Sequence, residues 1–317
     1  MVSPTDASVT ATDRVLPATR VLSAVIIPFL LVAFVVLFFF PSAKDTARLF
    51  AWRIVPPFTP MVLGSVYLGG AYFFLRAFRA TEWHTIEGGF ISVGTFASMM
   101  GIATIVHWEK FIHGNVAFWL WAGLYFTTPF LVFGVFLLNR RERSRASPGD
   151  LLVSPVAAKL IAVIGAMAAA SSVFLFIFPK AAIRIWPWLL TPLTARVMGA
   201  VFALGIAGMG AITERRWTSA RVLLQVAGFM LALILVSAIR ANGDFNTSRP
   251  LTWVFAAGFV GLAVAMAIFY ARMESLAAKP PTKTAATKAA TNPAKNPANK
   301  AAKNPAKKPS KAPSTPG

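Results

Sequence analysis

Residues 107–115, HWEKFIHGN, gather two of the chain's three histidines around a carboxylate. His107, Glu109 and His113 are residue types that ligate metals or move protons, so as a trio they would suit a membrane enzyme or metal site. Their spacing argues against it. Histidines six apart do not share a helix face, and HExxH is absent. The plainer reading is a polar loop at a membrane surface, with Glu109 and Asp244 paired to Arg196, Arg53 or Arg240 of the same face. Arg196, Arg240 and Asp244 complete this candidate outer-face cluster. His84, in EWHTIEGG, belongs to the opposite face and is expected to be a solvated loop histidine. Neither GxxxxGK[ST] nor GxSxG occurs, so no phosphate-cradling loop or nucleophile elbow is indicated. The chain has no cysteine, which excludes thiolate chemistry and Cys-ligated metals or clusters. No catalytic residue, metal or cofactor is assigned from the sequence.

The elements that would position these residues are apolar. The 317-residue chain is 56% hydrophobic and only 13% charged, with mean hydropathy +0.64. Soluble domains carry about 25% charge, and the shortfall points to a membrane protein. A helix needs roughly 20 apolar residues to cross the hydrocarbon core. Eight stretches qualify: 21–40, 61–78, 88–106, 116–138, 155–178, 193–212, 222–239 and 251–270. The first is too long for the h-region of a cleaved signal peptide, so it is expected to be a retained span. The fold expected is all-α transmembrane, with eight helices in two parallel four-helix repeats.

The repeat rests on matched residues. LFFFP ending at Pro41 matches LFIFP ending at Pro179, and PFTP at Pro57 matches PLTA at Pro192. Thr59 then faces Thr194, Gly64 faces Gly199, Trp83 faces Trp217 and Trp119 faces Trp253. Arg196 stands where the first copy has Met61. Four spans are an even number, so both copies enter from one side and are related by an axis along the membrane normal. The division is 1–20, a disordered N-terminal segment; 21–142, the first repeat; 143–154, a cytoplasmic linker; 155–276, the second repeat; and 277–317, a disordered basic tail. The cluster NRRERSR and the nine tail lysines place both termini in the cytoplasm, with the chain multi-pass in the cell inner membrane.

Each unit also carries a short segment between its first two spans. Ser42 and Asp45 form a capping pattern, with Leu49, Phe50 and Trp52 expected toward lipid and Lys44 and Arg48 toward water. Trp186 and Trp188 are expected at headgroup depth. Small residues four apart, Ala97 and Gly101, Gly165 and Ala169, Gly199 and Ala203, would let spans approach closely. Pro129 is expected to bend the fourth span. No Asp, Glu, Lys or His lies at mid-span, which disfavours a proton relay. Thr95, Ser98, Thr127, Thr128, Ser171, Ser172 and Gln225 are expected to bond between helices. The Lys/Ala/Pro tail would meet anionic lipid, or nucleic acid without sequence preference.

WRIVPPFTPMVLGSVYLGGAYF, HWEKFIHGNVAFWLWAGLYFTTPFLV, WPWLLTPLTARVMG and PLTWVFAAG resemble a family of bacterial, largely actinobacterial, polytopic integral membrane proteins. The resemblance covers about residues 43–274. It implies a fold and a membrane location, and no activity or catalytic residue. Three functions stay open: a permease-like handler of a small neutral or lipid-like solute between the repeats; an outer-face enzyme or metal site at His107, Glu109 and His113; and a scaffold whose basic tail binds anionic partners.

Overall fold

The computed structural model describes residues 13–142, 144, 146 and 149–278. The helices in order are α1 (Pro17–Phe39), α2 (Ala43–Leu49), α3 (Phe58–Arg79), α4 (Glu87–Val106), α5 (Val116–Asn139), α6 (Pro155–Ile177), α7 (Pro179–Ile185), α8 (Pro192–Ala203), α9 (Ile206–Met209), α10 (Trp217–Arg240) and α11 (Pro250–Ala277). Eight spans are long and apolar enough to cross a bilayer, the sixth made of α8, α9 and the turn that follows. Among the described residues there is no strand, only three isolated bridges. Large apolar side chains such as Phe130, Val116 and Ile239 stay exposed, which suits a surface facing acyl chains rather than water. This is a multi-pass membrane protein. Residues through Met273 form one compact unit. The described part of the second unit is the end of α11, closed by the Ala278 N–H donating to the Glu274 carbonyl. The tail from residue 279, residues 1–12, and Arg143 and Arg145 of the basic cluster lie outside the described residues.

Contacts recur at a near-constant offset in numbering. A Cβ on Gly64 of α3 would stand 3.1 Å from Phe38 N of α1, and one on Gly199 of α8 would stand 3.1 Å from Phe176 N of α6. Trp119 Nε1 donates to the His113 carbonyl at 2.9 Å, and Trp253 Nε1 to the Thr247 carbonyl at 3.1 Å. The Val15 N–H bonds the Thr81 carbonyl, and the Val153 N–H bonds the Arg215 carbonyl. Within each pair the offset is 134–138 residues. The inner helices follow the same pattern: α3 packs on α10 and α4 packs on α8, while α1 and α6 lie outside α3 and α8.

The outer helices α5 and α11 break the match. On α4, Gly101 brings the backbone of α5 so close that a Cβ would lie 2.9 Å from the Tyr125 carbonyl oxygen. At the corresponding place on α10 stands Leu235, and α11 makes no comparable backbone approach to α10. The sixth span is interrupted as well. The Leu204 N–H bonds the Val201 carbonyl, a tightened turn, and Gly205 and Gly208 pack their backbone on Gly165 of α6.

Other differences from expectation have local causes. Within the segment expected to be disordered, α1 already begins at Pro17, and Val15 and Thr19 are buried. Phe50, Trp52, Trp186 and Trp188 do not face lipid or headgroups. They are buried: Phe50 and Trp52 pack edge-on against Trp121, and Trp186 and Trp188 against Phe255. Ser42 caps α2 as expected, its Oγ accepting from the Asp45 N–H. Pro129 sits inside an unbroken α5. Thr95, Ser98, Thr127 and Ser171 return their hydroxyls to their own helix four residues back, and only Ser172 and Gln225 of the expected set reach another span.

Candidate functional site

The residues singled out at 107–115 lie beyond the C-terminal end of α4, and the structure distributes them among separate contacts. His107 Nε2 accepts from Arg196 Nη1 at 2.7 Å, joining the two halves. A guanidinium can only donate, so the imidazole must be neutral with its proton on Nδ1. Burial, and next the Arg196 charge, hold the His107 pKa below its ordinary value. His113 instead lies against the rings of Trp108 and Phe118. Glu109 is an exposed neighbour of Lys110 at 3.9 Å. The expected carboxylate–arginine pairs are replaced by backbone contacts. Asp244 Oδ2 accepts from the Phe58 N–H at 2.8 Å, an orphan donor at a helix start, and Arg240 Nη1 donates to the Phe38 carbonyl at 3.0 Å. No group of three His, Cys, Asp or Glu among the described residues is placed to hold a metal ion.

At the other end of α4 the reading of His84 is corrected. Its side chain is buried, and both ring nitrogens are engaged. Nδ1 pairs with Asp13 Oδ2, and Nε2 contacts Thr218 Oγ1 at 2.9 Å. Asp13 Oδ1 also accepts from the His84 N–H at 3.1 Å. Asp13 has φ 54°, in the left-handed region that aspartate tolerates better than bulkier residues. Carboxylate, imidazole and hydroxyl stand in the order used to activate a nucleophile. Thr218, however, does not line the cavity described next, whereas His84 does. The trio therefore works as a tie across the halves, with Thr218 following Trp217 as His84 follows Trp83. Its loop signal was legible only through that matched pair of Trp-containing segments.

Between these two ends lies a cavity of about 530 Å³, lined from α3, α4, α8, α9, α10 and α11, with further residues from α1, α5 and α6. Val66, Phe73 and Phe96 line it from the first half, and Met198, Met230, Phe255 and Phe259 from the second. Contacts between halves sit at both ends. Trp188 Nε1 donates to Thr59 Oγ1 at 3.0 Å and Phe58 meets Asp244 on the His107 face, while His84 meets Thr218 on the opposite face. The acidic groups along the wall, Glu87 and Glu214, lie toward the His84 face, and no Lys or Arg is among the lining residues. The volume lies within the 300–1,000 Å³ typical of small-molecule pockets. Nothing local in the sequence marks this cavity, because its lining comes from helices of both halves.

Comparison with protein-family models, curated proteins and solved structures finds no match to the chain.

Proposed function

We propose that this membrane protein is a permease-like handler of a lipid-like solute, held between two parallel four-span repeats. The observation that carries this reading is the apolar cavity on the interface of the halves. Matched contacts at a constant offset support a duplicated unit, and duplicated units related by an axis along the membrane normal are one way carriers are built. That likeness is one of architecture. The chemistry of the wall supports the solute class: apolar contact would supply affinity at about 25 cal/mol per Å² buried, with no lining Lys or Arg to hold an anion. Polar ties at each end of the cavity are the contacts whose breakage would open it to one face or the other. Catalysis is not needed to account for this arrangement.

The test is saturable binding of a brominated C16 chain to the full-length protein in detergent, read as quenching of Trp188, which lines the cavity. The component that disappears in Trp188→Phe reports the site. Val226→Trp fills the cavity from α10 and should abolish that component, whereas Val236→Trp on the exposed face should leave it intact. Quenching that is equal in both variants, or that never saturates, refutes the reading.

A further inference from the structure

Many serine and threonine hydroxyls within these spans share one local bond, others such as Ser172 and Thr252 find another partner, and Ser92 has neither. Ser65, Ser98, Thr104, Thr127, Ser171 and Ser237 each donate to the carbonyl four residues earlier. That is the local bond which satisfies a hydroxyl inside a helix surrounded by apolar groups. Ser92 of α4 is only 2% exposed, yet its Oγ has no partner among the described residues. Ser219, in the first turn of α10, is 6% exposed and its Oγ is likewise unpartnered. Both residues line the cavity, one from each half, and both belong to its His84 side. A buried hydroxyl without a partner is costly, and two lining the same cavity point to where a ligand's polar group belongs.

We infer that the cavity takes a neutral amphiphile whose hydroxyl-type head binds between Ser92 Oγ and Ser219 Oγ, with its chain running toward Trp188. The inference rests on the solute-handling reading above and names the class of solute. Each serine can donate and accept, as a hydroxyl head requires. An anionic head is disfavoured by the wall itself. A carboxylate or phosphate would find no lining Lys or Arg, and the nearby Arg216 is already bound to both carboxylate oxygens of Glu214. An alkane would leave both serines unpaired.

The experiment uses the full chain in detergent with three probes of equal length: 16-bromohexadecan-1-ol, 1-bromohexadecane and 16-bromohexadecanoic acid at pH 8. The readout is the Trp188-dependent quench. The alcohol should bind about five- to tenfold more tightly than either other probe, as two net hydrogen bonds predict. Ser92→Ala and Ser219→Ala should each weaken the alcohol about two- to fivefold and leave the alkane unchanged, and Ser92→Thr should retain the preference. Equal affinities for alcohol and alkane, tighter binding of the acid, or serine variants without effect on the alcohol would overturn the head-group assignment while the cavity reading stands. Absence of any Trp188-dependent quench with all three probes would remove both.

Discussion

The close approach of α5 to α4 gives a sharp test of how this fold is held. In Gly101→Ala, the new methyl would lie 2.9 Å from the Tyr125 carbonyl oxygen, with Tyr125 C at 3.7 Å. Ordinary carbon–oxygen contact begins near 3.4 Å, so α5 must retreat by ~0.5 Å or α4 must rotate. The obstacle is backbone, which cannot swing aside as a side chain does. Overpacking of this kind costs about 1–3 kcal/mol, a five- to 150-fold loss in the ratio of folded to unfolded protein. Alanine also raises intrinsic helix propensity by about 1 kcal/mol, which offsets part of that loss. The same helix pair supplies the control. Gly123 and Gly134 of α5 have nothing within 4 Å of a built Cβ, so Gly123→Ala should be neutral or stabilising. The assay is reversible unfolding of the purified protein by SDS in mixed micelles, followed by tryptophan fluorescence. Gly101→Ala as harmless as Gly123→Ala would show that α4 and α5 do not meet at this backbone contact.

Three further outcomes follow from the contacts above. Gly64→Ala and Gly199→Ala should destabilise to a similar degree, about 1–2 kcal/mol each, because each built Cβ meets a backbone nitrogen at 3.1 Å; a large difference in the same unfolding assay would break the correspondence of the halves. The Arg196–His107 contact needs a neutral imidazole. Because the folded-state pKa of His107 is lowered, the unfolded chain takes up the proton first as pH falls, so the stabilisation is complete above about 6.5 and is lost below it toward the folded pKa. Unfolding measured from pH 8 to pH 5 should show a decline that His107→Gln removes, and an unchanged decline would refute the assignment. His84→Ala leaves the buried Asp13 carboxylate without its imidazole partner and should cost about 3 kcal/mol, against about 1 kcal/mol for Thr218→Val. Equal, small effects in SDS unfolding would show that the tie is not structural.

The spans were legible because lipid imposes a rule that runs along the chain: an unbroken apolar run long enough to cross. Their ends were set by neighbours in space. Pro17 starts α1 several residues before the apolar run because Val15 hydrogen-bonds Thr81 and Leu16 bonds Asn139. The aromatic residues beside α2 and α7 looked amphipathic in isolation, but rings such as Trp121 and Phe255 come from helices far along the chain and cover them. His84 was misjudged for the same reason. Its partners lie 71 and 134 residues away, and no local pattern distinguishes a bonded loop histidine from a wet one. The outer-face residues show a different limit. Residue types that could do chemistry were read from proximity in sequence, whereas His107 faces Arg196, Asp244 faces Phe58, and His113 turns to Trp108. The sequence did contain one contrast between the halves, Gly101 against Leu235. Its meaning appears only once α5 and α11 are seen to stand at different distances from their partners.

The uneven burial of the spans bears on how this chain can drift over generations. Most of α3's apolar window, 78%, is enclosed by protein, whereas none of the apolar window of α11 is. Replacements in α3 must therefore keep volume and shape, and nearly every exchange there will be felt. Along the outer side of α11, one aliphatic residue can stand for another with little consequence, provided no charge enters the acyl region. The youngest differences between distant copies of this gene should accumulate on the helix that borders the cavity from outside, leaving the cavity with one fast-changing wall and several slow ones.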